Sequence, residues 1–138
     1  MKVEEIMTPA PVTAEIRGTV AEVIEKLLEY DLSCIPVVSG NEYVGMVTEK
    51  ELRPFAFPLR SQPDEVRDYR KSLLTKISEI VRTDLPVVHP EMELVAVLDL
   101  LVDSGAGILA VVDSETEALC GIVTLRDIVK SVRTLFDD

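Results

Sequence analysis

The 138 residues predict an α+β fold built as two strand–helix–strand–strand–helix repeats, and three observations predict it. The eight-residue plan Gly45-Met46-Val47-Thr48-Glu49-Lys50-Glu51-Leu52 returns as Gly121-Ile122-Val123-Thr124-Leu125-Arg126-Asp127-Ile128, an offset of 76. Upstream, an offset of 74 lays Val20, Val23, Ile24, Leu27 and Leu28 over Leu94, Val97, Leu98, Leu101 and Val102. Both sets are spaced i, i+3, i+4, i+7, i+8, the apolar stripe of an amphipathic helix packed on a core. At the same 74, Ile35-Pro36-Val37-Val38 lies over Leu109-Ala110-Val111-Val112, so a short apolar strand follows each helix.

Taken in order, Met1–Met7 reads as a helical turn or entry strand, stopped by the prolines of Thr8-Pro9-Ala10-Pro11. Val12-Thr13 is a brief strand. Thr19-Val20-Ala21-Glu22 has capping-box spacing and starts a helix that runs to about Tyr30. Ser33–Val38 and Tyr43–Val47 form a hairpin around Ser39-Gly40-Asn41-Glu42. The glycine that opens each eight-residue plan is expected to admit a turn. In the second repeat, Ile77–Val81 resembles Val3–Met7 at 74, and Pro86-Val87-Val88 replays Pro11-Val12-Thr13 with the offset slipping to 75. A helix over about Glu93–Asp103 ends at Ser104-Gly105-Ala106-Gly107, strands follow at Ile108–Val112 and Leu119–Val123, and a last helix covers about Leu125–Thr134. The repeats are placed at residues 1–52 and 77–138, with 53–76 as linker.

A chain this long holds about one domain, and 47% hydrophobic residues suffice for a core. Each half is too small to be comfortable alone, so the halves are expected to pack together. A net charge of −11 disfavours nonspecific binding to nucleic acid or anionic membrane. With no apolar run of membrane-spanning length and no signal-peptide pattern, a cytoplasmic protein is expected. Cys34 and Cys120 lack CxxC or histidine-rich surroundings, so no metal site is expected. His89, the only histidine, stands before Pro90 with no partner for nucleophilic catalysis, which leaves an enzyme disfavoured.

Residues 53–76 interrupt the periodicity with Pro54, Pro58 and Pro63, and a short helix is expected from Asp64 to about Leu74. This linker carries +3 against −14 for the rest, and it holds Phe55, Phe57 and Tyr69, three of the six aromatics. It reads either as a solvated connector or as an interaction surface.

The repeated plan supports two readings from its residues alone. A carboxylate in the first turn of a helix can accept both hydroxyls of a ribose, while the threonine hydroxyl, the free helix N–H groups and Arg126 can meet a phosphate. Thr124-x-x-Asp127 also has capping-box spacing, a structural role that needs no ligand.

Two units ending in Gly-(Ile/Met)-Val-Thr-x-(Lys/Arg)-(Asp/Glu)-(Ile/Leu), with Ile6-Met7-Thr8-Pro9 and Ile35-Pro36-Val37-Val38, resemble a tandem pair of CBS domains, the Bateman module, over almost the whole chain. The resemblance implies two βαββα repeats packed with pseudo-two-fold symmetry. It also implies a non-catalytic regulatory module that often forms a homodimer and binds AMP, ADP, ATP or S-adenosylmethionine between the repeats. No cofactor would be obligatory, and a separate regulated protein would be the partner.

Carried over by position, the primary site would combine Thr8, Thr13, Ser33 and Cys34 with Ile122, Thr124, Arg126 and Asp127. Small side chains around Ser33 would leave room for adenine. A second, weaker site would use Val88, Gly107 and Ile108 with Met46, Thr48 and Glu51. Glu51 departs from the family's aspartate. Asp31 stands where many members carry a basic residue, which argues against ligands with several phosphates. The alternative reading is a ligand-free dimerising interaction protein with the same fold.

Overall fold

The computed structural model describes residues 1–55 and 73–136, arranged as two compact units. The first comprises Met1–Pro11, Asn41–Tyr43 and Asp84 onward; the second comprises Val12–Gly40 and Val44–Thr83. The entry segment of each repeat therefore belongs with the body of the other.

In the second unit, β2 (Ala14–Glu15), β3 (Cys34–Ser39) and β4 (Glu42–Thr48) form a sheet in that order. Helix α1 (Val20–Glu29) begins where the Thr19 side chain accepts from Glu22 N at 3.4 Å. It buries Val20, Val23 and Leu27 against Ile35, Val37, Val47 and Leu52. A 3-10 turn at Ile77–Glu79 inserts Ile77, which is fully buried, into the same cluster. Its backbone is tied down by Ile77 N donating to Gly18 O at 3.0 Å and Val20 N donating to Thr75 O at 2.8 Å. After β4 the chain makes α2 (Glu49–Leu52) and a 3-10 turn at Arg53–Phe55. The expected linker helix lies outside the described residues except at its end, where Leu73 packs against this core and Leu74 is exposed.

The first unit repeats the plan. Its sheet runs β1 (Thr8–Pro9), β6 (Leu119–Thr124), β5 (Ile108–Val112). Helix α3 (Leu94–Ser104) ends at Gly105 with φ 68°, the left-handed residue that a glycine adopts without strain. Helix α4 spans Leu125–Phe136. The core joins Val3, from a 3-10 turn at Val3–Glu5, to Val88, Val97, Leu101, Leu109, Val111, Val123 and Ile128. The equivalent ties recur: Val3 N donates to Met92 O at 3.0 Å, and Leu94 N donates to Met1 O at 2.9 Å.

Four expectations are corrected. Val12-Thr13 precedes the brief strand instead of forming it; Ala14 and Glu15 pair in parallel with Val37 and Val38. Val88 pairs in parallel with Val111, as Ala14 does with Val37, so the offset stays at 74 and the apparent slip to 75 came from matching prolines. Gly45 and Gly121 lie inside strands, not turns. A Cβ on Gly121 would stand 2.7 Å from Thr8 O, and one on Gly45 would stand 2.5 Å from Arg82 O, so each glycine is demanded by an entry segment crossing over it. Finally, Leu28 and Val102 are 78% and 71% exposed. Position i+8 lies about 80° round the helix from i, at the margin of the apolar stripe.

Candidate functional site

Asp127 stands in the first turn of α4, which β6 aims by running straight into it through Thr124. The two residues close a capping box. Thr124 N and Thr124 Oγ1 donate to Asp127 Oδ2 at 3.0 and 3.1 Å, and Asp127 N donates back to Thr124 Oγ1 at 3.1 Å. The cap reading of the motif is thus realised, and a further contact is added. Thr8, on β1 opposite Ile122, donates its hydroxyl to Asp127 Oδ1 at 3.3 Å. Thr8 and Arg126 are exposed, whereas Ile122, Thr124 and Asp127 are half-buried. Leu125 N donates to Gly107 O at 3.1 Å, so this amide and that of Asp127 are both used within the chain.

Of the primary candidates, the first unit brings together Thr8, Ile122, Thr124 and Asp127, with Arg126 beside them on α4. Thr13, Ser33 and Cys34 belong to the second unit. There, the Thr13 carbonyl accepts from Lys26 Nζ at 2.5 Å, a cation that sequence reasoning passed over because nothing in its spacing distinguishes it from a solvated helix lysine. Ser33 is exposed and leads into β3, and its hydroxyl points to Cys34 Sγ at 4.0 Å. Burial pushes the Cys34 thiol up, a direction that the Ser33 contact opposes and Glu49 reinforces.

The secondary candidates divide in the same way. In the second unit Glu51 Oε1 accepts from Thr48 N at 2.9 Å and from Thr48 Oγ1 at 2.8 Å, a second capping box. Met46 is buried, with its N–H and carbonyl both paired to Arg82 at 2.9 Å. In the first unit Gly107 has φ 71° and Ile108 is buried. Val88 is fully buried, and its N–H and carbonyl are both engaged with β5. Its neighbour Val87, which corresponds to Thr13 at the true offset, is 37% exposed. Only the strand register, not the proline match, reveals that correspondence.

The family model for the CBS domain matches residues 3–56 and 77–134, the two repeats. The chain belongs to the CBS domain family. As a tandem CBS pair it is 27% identical over 130 residues to inosine-5'-monophosphate dehydrogenase of Methanocaldococcus jannaschii, which covers 94% of this chain and 23% of that enzyme. Among solved structures, it is similar to the CBS-pair protein CBSX2 of Arabidopsis thaliana at 21% identity and a TM-score of 0.84, covering 99% of this chain and 97% of that one. CBSX2 in complex with AMP matches at 22% identity and 0.80, over 98% of each chain. CbpB in complex with c-di-AMP matches at 19% and 0.76, over 99% of this chain and 87% of that one. No group of three or more metal-binding side chains occurs among the described residues, and no helix among them is long and apolar enough to cross a membrane.

Proposed function

We propose that this CBS pair is a non-catalytic, cytoplasmic regulatory module that binds an adenosine-containing ligand of the AMP, ADP, ATP or S-adenosylmethionine class and acts on a separate protein. The observation that carries the reading is the Asp127 carboxylate: its Oδ2 is consumed by the cap, while among the described residues Oδ1 accepts only from the Thr8 hydroxyl and retains acceptor capacity for a sugar hydroxyl. In this reading Ile122, Thr124, Arg126 and Asp127 take the sugar and its phosphate with Thr8 beside them, and Thr13, Ser33 and Cys34 take the base. The weaker site would use Val88, Gly107 and Ile108 with Met46, Thr48 and Glu51. CBSX2 and CbpB, which share the fold, have been seen with adenine nucleotides, which supports this ligand class. Regulation then requires the ligand to favour one arrangement of the module over another, since equal affinity for both shifts nothing.

A thermal-shift panel of AMP, ATP, NADH and S-adenosylmethionine at millimolar concentration tests the reading. A ligand selective for the native state must raise Tm. Asp127→Ala abolishes the shift, with a cost to unliganded stability of about 2 kcal/mol for the lost cap and the lost Thr8 bond. A panel that leaves melting unmoved favours the second reading, a dimerising protein without ligand. That reading has its own support in α4, where Leu125, Val129, Val132 and Phe136 recur at i, i+4, i+7, i+11 and are all exposed. A homodimer through this stripe is compatible with either reading.

A further inference from the structure

The two carboxylates of the repeated plan are held differently. Asp127 receives three hydrogen bonds on two oxygens from two separate stretches of chain: Thr124 N and Oγ1 on Oδ2, and Thr8 Oγ1 on Oδ1. Among the described hydrogen bonds, Glu51 receives two on a single oxygen, both from its own cap residue. The position that corresponds to Thr8 in the other repeat is Arg82, paired opposite Met46 as Thr8 is opposite Ile122. A cap alone leaves the outer oxygen of the carboxylate free to swing about the side-chain torsions. A second donor arriving from another strand removes that freedom before any ligand is present.

We propose that Thr8 is a positioning residue: its hydroxyl fixes Asp127 Oδ1 where a ribose hydroxyl can meet it, and it does not itself hold the phosphate. This deepens the reading given under Proposed function and rests on it. The hydroxyl is placed by the fold, because β1 pairs with β6 in the register Thr8 to Ile122 and Pro9 to Gly121. The missing Cβ of Gly121 is what lets the Thr8 backbone come so close. A carboxylate oxygen can accept from Thr8 and from a ligand hydroxyl together, so the contact prepares the site without blocking it. The family resemblance places Thr8 among the groups that touch the ligand. The hydrogen bond to Asp127 gives it a different job, with different consequences for affinity.

The test measures adenosine and AMP binding by calorimetry on the full chain as wild type, Thr8→Val, Thr8→Ser, Asp127→Asn and Thr8→Val/Asp127→Asn. Thr8→Val keeps the β-branched shape and removes the donor. The expected result is a loss of roughly fivefold, equal for adenosine and AMP, restored by Thr8→Ser and absent when Asp127→Asn is already in place. A loss confined to AMP makes Thr8 a phosphate contact and overturns the proposal. Unchanged affinity overturns it as well, as does a loss that persists undiminished beside Asp127→Asn. Urea unfolding of the same four variants without ligand is expected to show a coupling of about fivefold in the unfolding constant, and additivity there removes the hydrogen bond on which the proposal stands. Wild-type protein that binds neither compound, with the thermal-shift panel also unmoved, overturns the underlying reading and the proposal with it. Wild-type binding that ignores Thr8→Val overturns the proposal alone.

Discussion

Gly121→Ala isolates the cost of the strand crossing. The new Cβ would meet Thr8 O at 2.7 Å and Met7 Sδ at 2.9 Å, where ordinary van der Waals contact begins at 3.4 Å. The thioether can rotate away, but the carbonyl belongs to a paired strand and must retreat by about 0.7 Å, the difference between those distances. Overpacking of this kind costs about 1–3 kcal/mol. A retreat of Thr8 also weakens its bond to Asp127, worth about 1 kcal/mol more. The expected loss is therefore about 2–4 kcal/mol. In urea, with a slope of roughly 2 kcal/mol/M, the midpoint falls by about 1–2 M. Gly40→Ala is the control. Gly40 has φ 62° with nothing within 4 Å of a Cβ, so it suffers only the left-handed penalty of about 1 kcal/mol. A Gly121→Ala midpoint equal to that of Gly40→Ala, or within about 0.5 kcal/mol of wild type, would refute the reasoning.

Three other outcomes are expected. Asp31 sits past the end of α1 with φ 52°, at the position where α3 has Gly105, and Leu32 N closes the turn onto Leu27 O at 2.8 Å. Asp31→Gly should stabilise the protein by about 0.5–1 kcal/mol, the left-handed penalty less the entropy glycine adds to the unfolded chain, as read from urea midpoints. Burial raises Tyr43 to about 12, so absorbance titration should show a late phase that Tyr43→Phe removes. The sign follows: with the folded value above the unfolded one, this stability is intact below pH 10 and is lost as pH climbs from 10 toward 12, by at most about 2.7 kcal/mol. Burial likewise holds the Cys34 thiol up, so iodoacetamide at pH 8 should label Cys34 more slowly in native than in urea-unfolded protein, and equal rates would deny the burial.

Much of each repeat was legible because its signals are local. The spacing of Val20, Val23 and Leu27 announces a helix, and Ile108–Val112 announces a strand buried on both faces. The capping boxes at Thr48 and Thr124 are equally plain, each being a pair of residues three apart. What escaped is non-local. Nothing in Val3-Glu4-Glu5 says that its partners are Pro90 and Met92, and the double role of Asp127 became visible only when a strand 119 residues away delivered Thr8 to it. The prolines at 11 and 86 shifted the apparent register by one, which exchanged the exposed Val87 for the buried Val88. A one-residue slip along a strand always carries that consequence, because successive side chains face opposite sides.

The exchange of entry segments makes a last prediction. Val3 is fully buried in a core whose other fully enclosed members come from residues 88–128, Ile6 and Met7 pack against it, and β1 supplies the edge strand next to β6. A fragment spanning 77–138 loses both, together with the backbone bonds from Met1 and Val3 to the start of α3. What remains is roughly 60 residues, a size at which burial is already marginal. Removing one buried valine and one strand pairing from it should cost more than the few kcal/mol such a unit holds. The fragment alone is expected to show little helical signal in circular dichroism and no cooperative melt. A peptide of residues 1–11 added in trans should restore both with a saturable dependence, and the same peptide with Val3→Asp should not. A lone 77–138 fragment that melts cooperatively near the temperature of the intact chain would mean that the crossing segment decorates a self-sufficient repeat instead of completing it.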